Sequence, residues 1–479
     1  MSTHLPPAPT PTPVASRASR AARRWLPAAA AVAVAAWGAN QFTALATVYR
    51  ARTDWSALSL AAMFSVYLVG LVPGLLLGRP AADRYGRRRV VRGALVLSAV
   101  ASAVLAVADE PAVYAARPVT GFAAGLVFLA GTTWLRELSG PSVPPETSAR
   151  RAMYATGAGF AAGALATGVL AEWLPGPTVL PALAHTLGCL LVLRATRRLP
   201  ETATLPATAR NGGWVDGVAG AHAGAATVAE HRAAVQHPRF RYVVLPASPA
   251  VLGAATVAYV VLPPLVADRV PGYAPLFGGL VAALTLTMGV LAQPFAARLD
   301  DHGSARATLT AMATVIAGLL IGALAAQRDS VGLVLVAAVV LGTGYGLTLG
   351  AGLHEVERLA TRSRGPTSAS LYQSTISSGF LTPLLLAGTA GHASYPALLV
   401  GMAVVGVLCL AVTGAHSRRH LPASAGPARS GSGTGTGTGE DSGEDPNDDP
   451  SEGSSVQSVQ SGPGPRPTPP PRSRRRWAE

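Results

Sequence analysis

The chain has 479 residues, of which 49% are hydrophobic and 13% charged, and its mean hydropathy is +0.35. A water-soluble globule of this length does not carry so apolar a composition, so the soluble classes are excluded in favour of a multi-spanning membrane protein. The formal charge of +14 does not mark a nucleic-acid binder, because the positives fall in short segments between apolar runs and form no basic stripe.

In chain order, residues 1–25 form a Pro-, Ala- and Arg-rich segment expected to be a disordered tail, with Arg17, Arg20, Arg23 and Arg24 ahead of the first apolar run. That run is followed by many others and reads as a retained span, not a cleaved leader. Runs of about 20 residues, each enough for a helix to cross roughly 30 Å of hydrocarbon, lie near 26–49, 56–78, 90–108, 112–135, 152–174, 177–195, 243–265, 274–297, 305–326, 331–353, 367–389 and 395–416. The expectation is an all-α membrane protein of twelve transmembrane helices. The bundles would span 26–196 and 243–418, joined by a polar connection over 197–242 whose "GAHAGAATVAEHRAAVQHPRFR" suggests a surface helix. Residues 419–479, Gly-, Ser-, Pro- and charge-rich, have almost nothing apolar to bury and are expected to be a disordered tail.

Every basic residue is Arg. Alternate loops hold Arg84, Arg87–Arg89, Arg136, Arg150, Arg151, Arg197, Arg198, Arg298, Arg306, Arg358, Arg362 and Arg364, whereas the others hold only Arg50, Arg52, Arg269 and Arg328 beside Asp54, Asp109, Glu110, Asp268 and Asp329. Basic residues stay preferentially in the cytoplasm, so both termini are expected there, in a cell membrane. Cys189 and Cys409 each lie in an apolar run without a partner at metal or redox spacing. No Gly-rich phosphate loop ending in Lys, nucleophile elbow or mid-span metal set is present, which argues against an ATP-driven pump or an enzyme.

Charge concentrates in "GRPAADRYGRRRVV", where Arg79, Arg84 and Arg87–Arg89 surround one acid, Asp83. A Gly permits a tight turn, and arginines reach carboxylates or the last carbonyls of a neighbouring helix. The segment therefore reads as a latch made in one conformation and broken in another. "ARLDDHGSARA" after the eighth run places Asp300 and Gly303 at the Asp83–Gly86 spacing, with Ser304 and Ala305 in place of Arg87 and Arg88, so the two halves look like repeats.

"RPAADRYGRRR" resembles the loop signature between spans 2 and 3 of the major facilitator superfamily. Asp83, Arg84, Gly86, Arg87 and Arg88 match it, while Arg79 stands at the leading-Gly position, with Gly78 one step early. "RPVTGFAAG" in span 4, with Arg117, Gly121 and Gly125, is similar to the family's Arg-x3-Gly-x3-Gly pattern. The resemblance implies two pseudo-symmetric six-helix bundles and assigns the gate or latch to those five loop residues. It makes Arg117 a coupling candidate; an interfacial Arg snorkelling to the surface is the other reading. Span 5 has Gly163–Ala164 where antiporters of the family place Gly-Pro.

The resemblance implies a cavity lined mainly by spans 1, 4, 7 and 10, which puts Trp37, Asn40, Gln41, Tyr259, Thr343 and Tyr345 forward as substrate contacts; the two amides equally well bond neighbouring helices, and a Tyr in such a place more often packs than contacts a ligand. Gly121, Gly125, Gly159, Gly163, Gly342 and Gly346 supply small faces for helix packing. No acid sits mid-span, and His185 is the one mid-membrane group that titrates near neutral pH, which makes it a second coupling candidate or a satisfied packing residue. The resemblance implies an alternating-access transporter, expected to export a small, fairly apolar molecule against protons as a monomer, with a small-molecule substrate, protons and the lipid bilayer as partners and no cofactor, metal or nucleic acid. An uptake permease and a non-transporting sensor or scaffold of the same fold are the alternatives.

Overall fold

The computed structural model describes residues 23–202, 237–301, 303–363 (backbone alone from 359), 372 and 375–418. These fall within one compact unit, Met1–Pro422; a second unit, Ala423–Glu479, lies outside the described residues. So do the expected N-terminal tail through residue 22, the connection over 203–236 with most of its expected surface helix, Arg364, and the C-terminal tail from 419.

Hydrocarbon supplies no hydrogen-bond partners, so each apolar run closes its backbone groups on itself as a helix. The helices are α1 (Trp25–Arg52), α2 (Ala57–Tyr85), α3 (Arg87–Leu105), α4 (Glu110–Leu138), α5 (Pro145–Trp173), α6 (Val179–Thr196), α7 (Phe240–Leu265), α8 (Ala274–Leu299), α9 (Arg306–Arg328), α10 (Val331–Ser363), α11 (Thr375–Thr389) and α12 (Tyr395–His416). Ten are long and apolar enough to cross a membrane. α3 falls short because Arg87, Arg88, Arg89 and Arg92 occupy its first turns, and the described part of α11 is too short.

Local signals set the ends. The Ser56 hydroxyl accepts from the Ser59 N–H at 3.0 Å and the Asp109 carboxylate from the Ala112 N–H at 2.8 Å, capping α2 and α4. Between α2 and α3 a single residue, Gly86, turns the chain at φ +93°.

Small faces bring the helices together in a repeated way. A methyl group at Gly70 or Gly121 would collide with the backbone of the facing helix, Pro118 or Tyr67, so α2 and α4 meet backbone to backbone. In the second half Gly342 and Gly346 meet the Thr285 and Gly289 carbonyls, so α8 and α10 repeat the α2–α4 contact. Gly159 and Gly163 seat α5 on Ala33 and Trp37 of α1, and Gly168 and Gly279 bring α5 against α8 across the halves. With no hydrophobic effect between helices in lipid, such close packing supplies much of their association.

Gly121→Leu should therefore separate α2 from α4 and lower stability by roughly 1–3 kcal/mol. Gly93→Ala, on an α3 face with nothing nearby, should leave stability unchanged. Unfolding of both variants in detergent micelles checks the contrast.

Candidate functional site

A cavity of about 270 Å³ lies between the halves, in the part of the bundle towards the Arg-rich end. Apolar side chains dominate its wall, aliphatic ones such as Leu71 and Leu349 together with the rings of Tyr67, Phe128, Phe160, Tyr345 and Phe380, with Gln293 of α8 and Thr132 of α4 among its few polar groups. At the opposite end a smaller pocket of about 60 Å³ is bounded by Phe42, Phe64, Arg50 and Tyr395.

Between the two hollows stands a partition of rings. Phe380 of α11 packs on Phe64 and on Tyr67, each pair with centroids 5.7 Å apart, and the Ser65 hydroxyl donates to the Phe380 carbonyl at 3.1 Å across the halves. Arg117 sits inside this partition, fully buried. Its guanidinium lies 4.8 Å from the centroids of Phe42 and Tyr67 and 5.9 Å from that of Phe64. It donates to the carbonyls of Met63 at 3.1 Å, Phe64 at 3.3 Å and Ala39 at 3.5 Å. Ring faces and carbonyl oxygens are negative, so they partly compensate a charge that hydrocarbon disfavours. Snorkelling is thereby replaced by a buried placement that ties α4 to α1 and α2.

Of the residues put forward for the cavity, Tyr345 lines it. α1 contributes no wall residue, because its polar side chains are engaged between helices. Trp37 Nε1 donates to the Thr167 hydroxyl at 2.9 Å, and Asn40 Nδ2 to the Phe160 carbonyl at 3.4 Å. Gln41 Nε2 donates to Ser102 Oγ at 2.8 Å. Tyr259 is buried edge-on to Phe64 with centroids 6.4 Å apart, and the Thr343 hydroxyl returns to the Val339 carbonyl at 2.8 Å. His185 is fully buried between α1 and α3. The Val34 carbonyl, 3.0 Å from Nε2, can only accept, so Nε2 carries the hydrogen and Nδ1 accepts from the Ser102 hydroxyl at 2.7 Å. This is a fully partnered ring standing off the cavity.

The rim at the Arg-rich end carries two charge clusters, one per half. In the first, the Arg87 guanidinium bridges Asp83 at 2.8 Å and Glu137 of α4 at 3.1 Å, and donates to the Ala82 carbonyl at 3.2 Å. Arg79 joins Asp83 at 3.7 Å, while Arg84 is exposed beside the Tyr85 ring. The segment after α6 folds underneath. Trp134 Nε1 donates to the Pro200 carbonyl at 3.2 Å, the Thr202 hydroxyl bonds Glu137, and Glu201 accepts the Arg88 N–H at 3.2 Å. Gly86 is needed twice, for its positive φ and because a side chain there would strike the Glu201 carboxylate.

In the second half Arg358 of α10 reaches Asp300 at 2.5 Å and Glu355 at 3.2 Å, and Arg239, just ahead of α7, forks onto Glu355 at 2.6 and 2.7 Å. After Asp300 the loop has Ser304 and Ala305 where the loop after Asp83 has Arg87 and Arg88, and the α10 residue Arg358 supplies the cation. Glu137, Glu201, Arg239 and Glu355 were not picked out from the sequence. Spacing held a signal for two of them: Asp83 and Glu137 are 54 positions apart, Asp300 and Glu355 55.

The model of the family described as Major Facilitator Superfamily matches residues 28–382. Among curated proteins, the 3-(3-hydroxy-phenyl)propionate transporter of Escherichia coli (strain K12) is 38% identical over 80 residues, 16% of this chain and 20% of that protein. The match thus spans about a fifth of that relative's length. Among solved structures, nucleoside transporter NupG is similar at 14% identity and TM-score 0.63, covering 82% of this chain and 98% of that one. A POT family transporter in complex with 5-aminolevulinic acid has 12% identity and TM-score 0.65, with 82% and 96% covered. The D-xylose-proton symporter has 16% identity and TM-score 0.58, with 81% and 96% covered. At these identities the likeness is one of fold.

The Arg239–Glu355 pair is 1% and 3% exposed, so Glu355→Gln should leave a buried guanidinium without its counter-charge and lower stability by about 3–5 kcal/mol. Asp83, with half its side chain exposed, should cost less than about 1 kcal/mol as Asp83→Asn. Denaturant melts of the purified protein distinguish the two.

Proposed function

The chain belongs to the Major Facilitator Superfamily, and from that premise we propose that it is a secondary transporter of twelve spans in two pseudo-symmetric six-helix bundles, working by alternating access. α3 and α11 are counted as spans on the strength of their place between flanking helices. The observation that carries the reading is the cavity between the halves, closed from the opposite end by the Arg117 partition and walled mainly by aromatic and aliphatic side chains.

On this reading both termini are cytoplasmic and the conformation described is inward-facing. The substrate is a small, mostly apolar molecule that stacks on Tyr67, Phe128, Phe160, Tyr345 or Phe380 and places one polar group on Gln293. Export in exchange for protons is the direction we favour, with Arg117 as the coupling residue and His185 as the second candidate. Arg117 reports the state of the partition, because its three carbonyl partners lie on α1 and α2. Asp83 and its arginines form the cytoplasmic latch: here Asp83 bonds Arg79 and Arg87 of its own half, and closing that side would re-aim it at the other half.

A second reading, ion-coupled uptake of an aromatic carboxylate, is favoured by two observations. Arg117 has no carboxylate in ion-pair reach among the described residues, and the name of the curated relative specifies an aromatic propionate. Alkalinisation of an unbuffered cell suspension when such an acid is added outside supports uptake. Sensitivity to an apolar compound on deleting the gene supports export.

In proteoliposomes with an imposed pH gradient, Asp83→Asn should slow turnover about tenfold or more, an effect of about 1.4 kcal/mol on the transport barrier. Unchanged turnover would remove the latch role. Arg117→Gln should abolish proton-driven accumulation while leaving downhill exchange of labelled substrate; equal loss of both would remove Arg117 from coupling.

A further inference from the structure

Six arginines gather where the first turns of α3 meet the end of α6: Arg88, Arg89 and Arg92 on α3, Arg194 on α6, and Arg197 and Arg198 just beyond it. Two of them fasten the helices together. Arg88 donates to the Arg197 carbonyl, and Arg92 donates to the Leu193 carbonyl at 2.5 Å and the Thr196 hydroxyl at 3.4 Å, using acceptors that the helix end leaves free. The other four, Arg89, Arg194, Arg197 and Arg198, are exposed.

None of the six guanidiniums is in ion-pair reach of a carboxylate among the described residues. The nearby acid, Glu201, is engaged by the Arg88 backbone N–H. Two of these charges, Arg88 and Arg89, also stand in the first turn of α3, where the helix dipole opposes a cation and favours an anion. The fold does not demand the arrangement, since α9, the repeat of α3, has Arg306 alone in its first two turns.

Towards the membrane interior the same two helices present bare apolar surface. Val96 and Val100 of α3 are 51% and 54% exposed, and Leu187, Leu190 and Leu191 of α6 are 53–58% exposed. A cationic cradle at the interface therefore continues into a hydrocarbon-facing surface on one pair of helices. We infer that this is a binding site for an anionic phospholipid of the phosphatidylglycerol class, its phosphate held by Arg89, Arg194, Arg197 and Arg198 and its acyl chains lying along the α3–α6 face. Topological decoration explains arginines on this side of the membrane; it does not explain six of them on two adjoining helix ends without counter-charges among the described residues.

The full-length protein in detergent, offered equal amounts of phosphatidylglycerol and phosphatidylcholine with identical chains, should retain the former about fivefold or more over the latter in native mass spectrometry, the factor that one arginine near a lipid surface supplies. R89Q/R194Q/R197Q/R198Q, which keeps the Arg88 and Arg92 fastenings, should lose that preference, and R50Q/R52Q/R328Q at the opposite end should keep it. No preference in the wild type, its persistence in the first variant or its equal loss in the second overturns the site. Should the first variant fail to fold, hydrogen exchange of the wild type decides. Nanodiscs with phosphatidylglycerol should slow exchange over 87–92 and 193–198 relative to phosphatidylcholine alone. Uniform or absent protection, or the same protection from inorganic phosphate in phosphatidylcholine discs, overturns the lipid assignment.

Discussion

A charge in hydrocarbon must find compensation inside the protein, and the placement of Arg117 shows how much structure that requirement organises. No carboxylate among the described residues is in ion-pair reach of it. Three ring faces and three main-chain carbonyls surround the guanidinium instead, and those partners belong to α1 and α2. Because the rings that solvate Arg117 also form the wall between the two hollows, compensating the charge and closing the pathway are one arrangement. Moving α4 relative to α1 and α2 would strip the cation of partners, so the partition resists partial opening.

The same constraint sends every other strong charge to the helix ends, where the two halves solve one problem with different residues. In each, an acid where the second helix ends and an acid in the last third of the fourth share one cation. Arg87 comes from the turn into α3, whereas Arg358 comes from α10 itself. What the two clusters share is the pair of carboxylates and their spacing along the chain, 54 positions in one and 55 in the other. The origin of the cation drifts because a guanidinium on a long side chain reaches the same point from several backbone positions. Arg239 then adds a buried fork to Glu355 that the first half lacks.

Span positions were legible because about 20 apolar residues in a row have few other fates. The runs read from 26–49 and 395–416 became Trp25–Arg52 and Tyr395–His416. Asp83 and Arg87 were legible as a charged cluster because an acid and several arginines crowd one short loop, and the two side chains do pair at 2.8 Å. Glu137 and Glu355 were not, since an acid at a helix end looks like interface decoration until a tertiary partner arrives. The cavity wall was the least legible part. Asn40 and Gln41 were suspected for their polarity, yet polarity inside a bundle is used up by interhelical bonds to Phe160 and Ser102. The wall fell to apolar side chains such as Leu71, Phe128, Phe160 and Phe380, which in sequence are indistinguishable from packing residues.

Rigid halves and a yielding seam follow from how the contacts are distributed. Within each half, helices are bound by interlocked backbones and by the charge clusters, and every ion pair named above stays inside its own half. Between the halves, the seam includes small residues such as Gly168 against Gly279, ring contacts of Phe64 and Tyr67 to Phe380 and of Phe64 to Tyr259, and the Ser65 hydrogen bond. Surfaces of that kind part without leaving a buried charge alone, whereas parting α2 from α4 would open a close-packed backbone contact. On the proposed alternating-access cycle, the contacts to be exchanged are therefore those of the seam, chief among them the rings of Phe64 and Tyr67 on Phe380, because the Arg117 partners all lie in its own half. A substrate that stacks on Tyr67 and Phe380 touches the rings on which that exchange depends, and its arrival is the event best placed to couple binding to the rocking of the halves.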